Sequence, residues 1–207
     1  MKDIFLNISN KYKFFTWTAQ RTGSTHFTDI LDKLGFQSAV VSDGKIVKFL
    51  NTVRHNHFCR FFEDHFNYKF LISIRNPYSM IISQTGAAKM NFDNHTLEVV
   101  RMRVENMMQN PLDVGGCCQC FHTRIPDYAV RLENLYEDWI KIPFVREHNL
   151  YLSGQLEELT KIKKNGFNLP DENYWKKYYD QSLADLVYYN HPDTFELYGY
   201  DRNSWKE

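Results

Sequence analysis

The sequence has no excess of charge of either sign, because 25 Lys and Arg residues balance 25 Asp and Glu residues in a chain of 207. Without a net charge there is no overall field to attract nucleic acid or an anionic membrane, so an anion has to be bound by a local arrangement of groups. The sequence also lacks a basic, apolar leader and any apolar stretch close to the roughly 18 residues of a membrane span. These absences predict a soluble, cytoplasmic protein that has no transmembrane segment and binds no nucleic acid.

Cysteine is scarce, since the chain has four, and three of them, Cys117, Cys118 and Cys120, stand together in "GGCCQCFH". A structural zinc site usually needs a second pair of ligands at a set distance, and only His122 lies near these thiols in the sequence. We therefore expect no metal ion. Reduced thiols in a loop agree with a cytoplasmic location.

Among the features that are present, short apolar runs alternate with stretches of helical spacing. Residues 12–19, 38–42 and 68–75 are typical of strands. The stretch "STHFTDILDKLGF" has apolar residues at helical spacing, and Gly35 is expected to end that helix. This alternation predicts an α/β protein with a mostly parallel sheet that is covered by helices on both faces.

Further signals mark helices in the second half of the sequence. Asn76 and Pro77 follow the strand at 68–75, and these residue types suit the cap and the first turn of a helix. The C-terminal part, which is rich in Tyr, is predicted to form one or two helices. The length favours a single domain over residues 1–207, with an irregular segment at about 86–123.

The turn after the first predicted strand, "QRTGSTH", combines one fixed cation, one glycine and three hydroxyl groups. Gly23 allows the backbone to approach an anion, while Thr22, Ser24 and Thr25 offer hydroxyl groups and Arg21 offers a permanent charge. The first N–H groups of a helix have no partner within the helix, so a strand-to-helix turn of this composition favours a phosphate site. A plain turn that Ser24 caps is the alternative interpretation.

The nucleotide-triphosphate loop Gly-x-x-x-x-Gly-Lys-[Ser/Thr] is absent from this turn. Counted from Gly23, the first glycine would stand at Thr18 and the lysine at Ser24. A standard ATP or GTP loop is therefore disfavoured.

A second stretch, "RNPYSMIIS", corroborates the anion site. Arg75 stands at the end of a predicted strand, and Ser83 lies six residues beyond Pro77, roughly 9 Å along a helix. In a parallel sheet the strand ends that carry Arg21 and Arg75 face the same crevice. Two separate anion sites at one edge of a sheet imply a ligand with phosphate groups at two ends.

Together these two stretches resemble the sulfotransferase family, whose donor is 3′-phosphoadenosine-5′-phosphosulfate (PAPS). "QRTGSTH" is similar to the family's 5′-phosphosulfate loop, and "RNPYSMIIS" is similar to its 3′-phosphate motif, an Arg with a Ser eight positions later. "YAVRLENLYED" and the C-terminal segment also resemble family segments, whereas residues 86–123 match nothing in the family. The resemblance implies the three-layer, P-loop-like sulfotransferase fold and an enzyme that needs no metal.

The resemblance also implies how the site works. A sulfuryl group would pass in line from PAPS to a hydroxyl or amine, leaving adenosine 3′,5′-bisphosphate (PAP). Arg21 would neutralise the charge on the bridging oxygen, with help from the N–H groups of Gly23 to Thr25. Arg75 and Ser83 would hold the 3′-phosphate. His26 either stacks on the adenine or occupies a simple helix-surface position.

The general base is left open by the sequence. One branch of the family uses a His roughly twenty residues before the 3′-phosphate Arg, where this chain has His55 and His57. Another branch uses a Glu after the second strand, where this chain has Asp43. His55 is the first choice, His57 the second and Asp43 the third, and a structural role for both histidines is the alternative.

The acceptor is not specified beyond a small molecule, a lipid or a carbohydrate, and the segment 86–123 would line its side of the site.

Two other functions compete with this interpretation. A nucleotide kinase or other phosphoryl transferase would need the missing Gly-Lys-[Ser/Thr] loop and an acidic magnesium ligand. A non-catalytic, nucleotide-binding module would keep the motifs without the reaction.

Overall fold

The computed structural model describes residues 5–18, 24–42, 45–47, 65–85, 97–109, 125–161 and 173–206. Within these ranges one sheet has the strand order β4-β3-β1-β2-β5-β6. Its strands are β1 (Phe5–Ser9), β2 (Phe14–Thr18), β3 (Gln37–Ser42), β4 (Lys45–Val47), β5 (Lys69–Ile74) and β6 (Tyr128–Arg131).

The sheet is mixed, with a parallel half and an antiparallel half. β2, β5 and β6 pair in parallel, while β1 is antiparallel to both β2 and β3, and β3 is antiparallel to β4. It follows that β2, β3, β5 and β6 run in one direction and that β1 and β4 run in the other. The predicted α/β class is confirmed, and β1 and the antiparallel pairs are features that the sequence did not indicate.

The helices of the described ranges largely follow the predicted pattern. They are α1 (Ser24–Lys33), α2 (Pro77–Gln84), α3 (Leu97–Gln109), α4 (Leu135–Trp139), α5 (Pro143–Arg146), α6 (Asn149–Leu152), α7 (Gln155–Lys161), α8 (Gln181–Asn190) and α9 (Pro192–Tyr198). Short 3₁₀ turns span Leu132–Asn134 and Lys176–Tyr178.

One helix corrects a sequence-based expectation. The segment at about 86–123 was expected to be irregular, but α3 occupies 13 residues in its middle. Val100, Val104 and Met108 are buried at four-residue spacing, so this helix packs through one apolar edge, while Leu97 and Met102 of the same helix are exposed. The parts of the segment on either side of α3 lie outside the described residues.

The residue contacts divide the chain into two compact units, each built from two stretches of sequence. The first comprises residues 1–74 and 120–164, and the second comprises 75–119 and 165–207. Because the chain crosses from one unit to the other three times, the units are not successive domains along the sequence. The expectation of a single domain stays a prediction.

The first unit holds the sheet and a core on one of its faces. Phe14, Leu71 and Val130 project from β2, β5 and β6 into a buried cluster with residues of α1. There Phe27 of α1 stacks on Trp139 of α4 with ring centroids 5.0 Å apart. The apolar side of α1 thereby fixes the helix against the sheet.

The second unit is helical and centres on Tyr78 of α2. Its ring is fully buried and lies 4.9 Å from the ring of Tyr179, 5.0 Å from that of Phe195 and 6.2 Å from that of Trp175. These aromatic contacts join α2 to the residues that flank the 3₁₀ turn at Lys176–Tyr178 and to α9. In the described part of the chain, every helix is too short or too polar to cross a lipid bilayer.

Candidate functional site

The predicted phosphate loop lies between β2 and α1. β2 ends at Thr18 and α1 begins at Ser24, which confirms the predicted strand before this loop and the predicted helix after it. Arg21, Thr22 and Gly23 lie outside the described residues. Ser24 and Thr25 form the start of the helix, where backbone N–H groups have no partner within the helix and can bind an anion.

His26 is the third residue of α1 and is only 8% exposed. It lies four residues before Ile30, which is fully buried in the core, so both side chains occupy the same side of the helix. The alternative of a simple helix-surface position is therefore wrong. Stacking of the imidazole on an adenine stays a prediction.

Buried polar side chains near this turn were not anticipated from the sequence. Asn7 of β1 is opposite Thr16 of β2, and Thr18 of β2 is opposite Ser73 of β5. Asn7, Thr16 and Ser73 are at most 4% exposed and share the sheet face of Phe14, which is the face that α1 covers. The alternation of Phe14, Thr16 and Thr18 was the available signal for polar groups on that face.

The buried hydroxyl group of Thr16 makes no hydrogen bond with any described residue. A buried hydroxyl without a partner is unfavourable by about 1 to 3 kcal/mol. Thr16 lies two residues before the end of β2, so this polar group stands at the strand end that leads to the predicted phosphate loop.

The second motif begins directly after β5. Asn76 caps α2, since its Oδ1 accepts a hydrogen bond of 3.0 Å from the backbone N–H of Tyr78, and Pro77 is the first helical residue. Both predictions for these positions are confirmed. The cap fixes the direction in which α2 leaves the sequence Arg75-Asn76.

The C-terminal segment holds the start of α2 in place. Asn76 Nδ2 donates to Ser204 Oγ at 3.0 Å, and the hydroxyl of Tyr78 donates to the carbonyl oxygen of Arg202 at 2.7 Å. Burial is the main cause that raises the pKa of Tyr78 to about 12, so this hydroxyl stays a donor at any physiological pH. Arg202 in turn binds Asp185 at 2.6 Å.

Arg75 and Ser83, the predicted 3′-phosphate residues, both belong to the second unit. Arg75 is partly exposed, and Ser83 is 8% exposed on α2. The Ser83 hydroxyl makes no hydrogen bond with the described residues. It is therefore a nearly buried donor that is available to a ligand.

No family model, curated protein or solved structure matches the chain. The resemblance to sulfotransferases therefore stays a prediction from the sequence motifs.

The predicted general bases, Asp43, His55 and His57, lie outside the described residues, as do the three clustered cysteines. Among the described residues no group of three or more His, Cys, Asp or Glu side chains could hold a metal ion.

The acidic turn after β6 has a structural explanation. Asp138 is 3% exposed and accepts hydrogen bonds from the backbone N–H of Arg131 at 3.0 Å, from Arg131 Nε at 2.8 Å and from Lys141 Nζ at 2.6 Å. Burial alone would raise the pKa of Asp138, but the hydrogen bonds from Arg131 and Lys141 lower it below its usual value. The Asp138 carboxylate therefore connects β6 to α4, and its hydrogen bonds serve this structural role.

Proposed function

We propose that the protein is a sulfotransferase that moves a sulfuryl group from PAPS to a hydroxyl or amine of an acceptor, with the P-loop-like fold of that family. The observation that carries this proposal is that β2 and β5 are parallel neighbours whose ends lie side by side, with Thr18 opposite Ser73. Along the chain β2 leads to "QRTGSTH" and β5 to "RNPYSMIIS". Ligands of open α/β sheets bind beyond the carboxyl ends of such strands.

The 5′-phosphosulfate is proposed to bind at the start of α1. The free N–H groups of the first helical turn attract an anion there, and Ser24 and Thr25 add hydroxyl groups. Arg21 supplies a charge that no physiological pH removes. The buried His26 is proposed to contact the adenine.

The 3′-phosphate is proposed to bind Arg75 and Ser83. The hydroxyl of Ser83 supports this assignment, because it is nearly buried and has no partner among the described residues. The capped start of α2 supports it too, since a helix held by Asn76 and Tyr78 presents the Ser83 hydroxyl in a fixed position.

The reaction would be an in-line displacement at sulfur. The acceptor oxygen or nitrogen forms a bond to sulfur, the bond from sulfur to the bridging oxygen breaks, and PAP leaves with the electron pair. Arg21 would neutralise the charge that builds on the bridging oxygen. The acceptor proton would pass to a general base, for which His55, His57 and Asp43 remain the candidates in that order.

Calorimetric titration with three nucleotides tests the donor assignment. PAP should bind. Adenosine 5′-monophosphate (AMP) differs from PAP only by the missing 3′-phosphate, and it should bind more weakly for that reason. ATP with magnesium should not bind better than AMP. Preference for ATP with magnesium would favour a phosphoryl transferase instead. Equal affinities for PAP and AMP would contradict the assignment of Arg75 and Ser83 to a 3′-phosphate site.

Turnover is tested separately with radiolabelled PAPS and a library of small-molecule, lipid and carbohydrate acceptors. Transfer of label to an acceptor is the expected result. Tight binding of PAP without transfer to any acceptor class would favour the non-catalytic nucleotide-binding module. A reducing, cytoplasmic setting is proposed for the reaction because of the three closely spaced cysteines.

A further inference from the structure

A patch of lysines and aromatic rings lies at the edge of the sheet where β2 and β5 begin. Its members come from the turn between β1 and β2 and from the turn before β5, and we call them the hairpin patch: Lys11, Tyr12, Lys13, His65, Phe66 and Tyr68. All six belong to the first unit. The proposed donor motifs follow the opposite ends of the same strands, so the hairpin patch is a separate feature.

Lys13 is the centre of the hairpin patch. Its Nζ lies 5.0 Å from the centroid of the Tyr68 ring and 3.4 Å from the Tyr68 hydroxyl, which donates at 2.7 Å to Asn10. The rings of His65 and Tyr68 pack nearly perpendicular to each other with centroids 5.0 Å apart. Lys13 and Tyr68 are 55 residues apart in the sequence, so only the fold brings these groups together.

The backbone of Lys13 has a φ of 57°, in the left-handed region that favours glycine. Turns of this shape commonly carry Gly or Asn at such a position, because these residues adopt it with less strain. A lysine here holds its charge in place at some cost in backbone strain. Strain of this kind is often retained where the side chain has a function.

Lys11 and Tyr12 repeat the arrangement at the tip of the turn. Lys11 Nζ lies 4.8 Å from the centroid of the Tyr12 ring, and that ring stacks on Phe144 with centroids 4.3 Å apart. Phe144 belongs to the core of the first unit. Both lysines therefore sit on rings that the fold holds in place.

The charges of Lys11 and Lys13 are not compensated within the described part of the chain. Neither lysine forms an ion pair there, whereas Lys69 nearby is paired with Asp127 at 2.8 Å. Phe66, in the same turn as Tyr68, has 76% of its surface exposed. The hairpin patch thus combines two lysines that form no ion pair within the described part of the chain with an exposed Phe ring.

We propose that the hairpin patch binds an anionic membrane surface. Lysine side chains are attracted to negatively charged headgroups, and an exposed Phe can enter the boundary between headgroups and acyl chains. A protein with no net charge needs such a local cluster to reach an anionic surface. Nucleic acid is the less suitable partner, because its affinity comes mainly from neutralising many phosphates, whereas a membrane also offers an apolar region for the exposed Phe66 ring.

Vesicle co-sedimentation tests the proposal on the full chain. Vesicles of phosphatidylcholine alone are compared with vesicles that also contain phosphatidylserine, at low and high salt. The protein should sediment with the phosphatidylserine vesicles and be released by salt. Failure to bind them, or equal binding to phosphatidylcholine alone, would overturn the proposal.

Single substitutions assign the binding to the patch. Lys11→Glu and Lys13→Glu should each weaken binding at least about fivefold, because a lysine near an anionic surface contributes about that factor. Phe66→Ser should weaken binding without making it less sensitive to salt. Lys13→Gly removes the charge while suiting the left-handed backbone, so it should weaken binding in a protein that is folded at least as stably.

Lys206→Glu is the matched control, since Lys206 is exposed and its Nζ lies 5.3 Å from the centroid of the Trp205 ring. It changes the net charge by the same amount and should leave vesicle binding unchanged. An equal loss in this control would mean that net charge alone governs binding, which would overturn the assignment to the patch. Retention of a single-stranded oligonucleotide in place of vesicles would also overturn it, in favour of nucleic acid.

Discussion

Replacement of Ser83 with Ala separates a ligand-binding hydroxyl from a structural one. In the described residues the Ser83 hydroxyl makes no hydrogen bond, although the residue is only 8% exposed. Its removal breaks no hydrogen bond with the described residues, and Ala is the better helix former by about 0.5 kcal/mol. Ser83→Ala should therefore leave the free energy of unfolding unchanged or raise it slightly.

The effect on binding should have the opposite sign. A hydrogen bond between a hydroxyl and a charged phosphate contributes about 1.5 to 3 kcal/mol, so Ser83→Ala should weaken PAP binding roughly tenfold to a hundredfold. AMP lacks the 3′-phosphate, so its affinity should stay as it is in the parent protein. The loss should thus appear only in the discrimination between the two nucleotides.

Ser79 provides a control on the same helix. It lies one turn before Ser83, is 4% exposed and also makes no side-chain hydrogen bond with described residues. Ser79→Ala should alter neither nucleotide affinity. Calorimetric titration of PAP and AMP into the parent protein, Ser79→Ala and Ser83→Ala measures the affinities, and urea unfolding measures the stability of each protein.

Two results would refute this reasoning. If Ser83→Ala lost affinity for PAP and AMP equally, the hydroxyl would act on the nucleotide as a whole or through the fold. If Ser79→Ala lost as much discrimination between PAP and AMP as Ser83→Ala, the loss would follow from any substitution at a buried position of α2 and would not identify a contact of Ser83 with the 3′-phosphate. The Arg75→Ala variant should also lose discrimination, because its charge is assigned to the same phosphate.

Local signals in the sequence predicted the elements that carry the motifs. β2, β5, α1 and α2 form where the apolar spacing and the capping residues indicate, and Gly35 follows the end of α1 with a φ of 80°. These features depend on neighbouring residues alone, as do the cap at Asn76 and the position of Pro77. Local chemistry is sufficient to specify them.

The features that could not be predicted depend on contacts between distant segments. β1 is only five residues long, and the buried polar residues Asn7 and Ser9 interrupt its apolar residues, so it contains no apolar run of the length expected for a strand. α3 was not predicted, because its apolar residues do not keep to one face and only Val100, Val104 and Met108 are buried. The hairpin patch exists only because β2 and β5 are neighbours in the sheet. Pairing of strands is a tertiary property that no local spacing specifies.

Three further predictions concern the cap, the buried carboxylate and the phosphate loop. Asn76→Ala should lower the free energy of unfolding by at least about 1 kcal/mol through loss of the cap and of the hydrogen bond to Ser204, and Asn76→Asp should recover the part that is due to the cap in urea unfolding. Asp138, whose pKa is lowered, stabilises the fold fully above the ordinary aspartate pKa of about 4 and loses that contribution as the pH falls through its folded-state pKa. Asp138→Asn should therefore flatten the acid side of the stability curve, and an unchanged curve would mean that other carboxylates govern it. Arg21 is assigned to the bridging oxygen, where charge builds in the transition state and PAP has no counterpart. Arg21→Ala should consequently lower turnover far more than it lowers the affinity for PAP, and Arg21→Lys should recover part of the rate because the charge survives without the two-pronged geometry. Turnover with a working acceptor and calorimetry with PAP measure the two effects. Equal losses of turnover and of PAP affinity in Arg21→Ala would mean that Arg21 only binds the nucleotide. An unchanged rate would mean that the loop is not part of the active site.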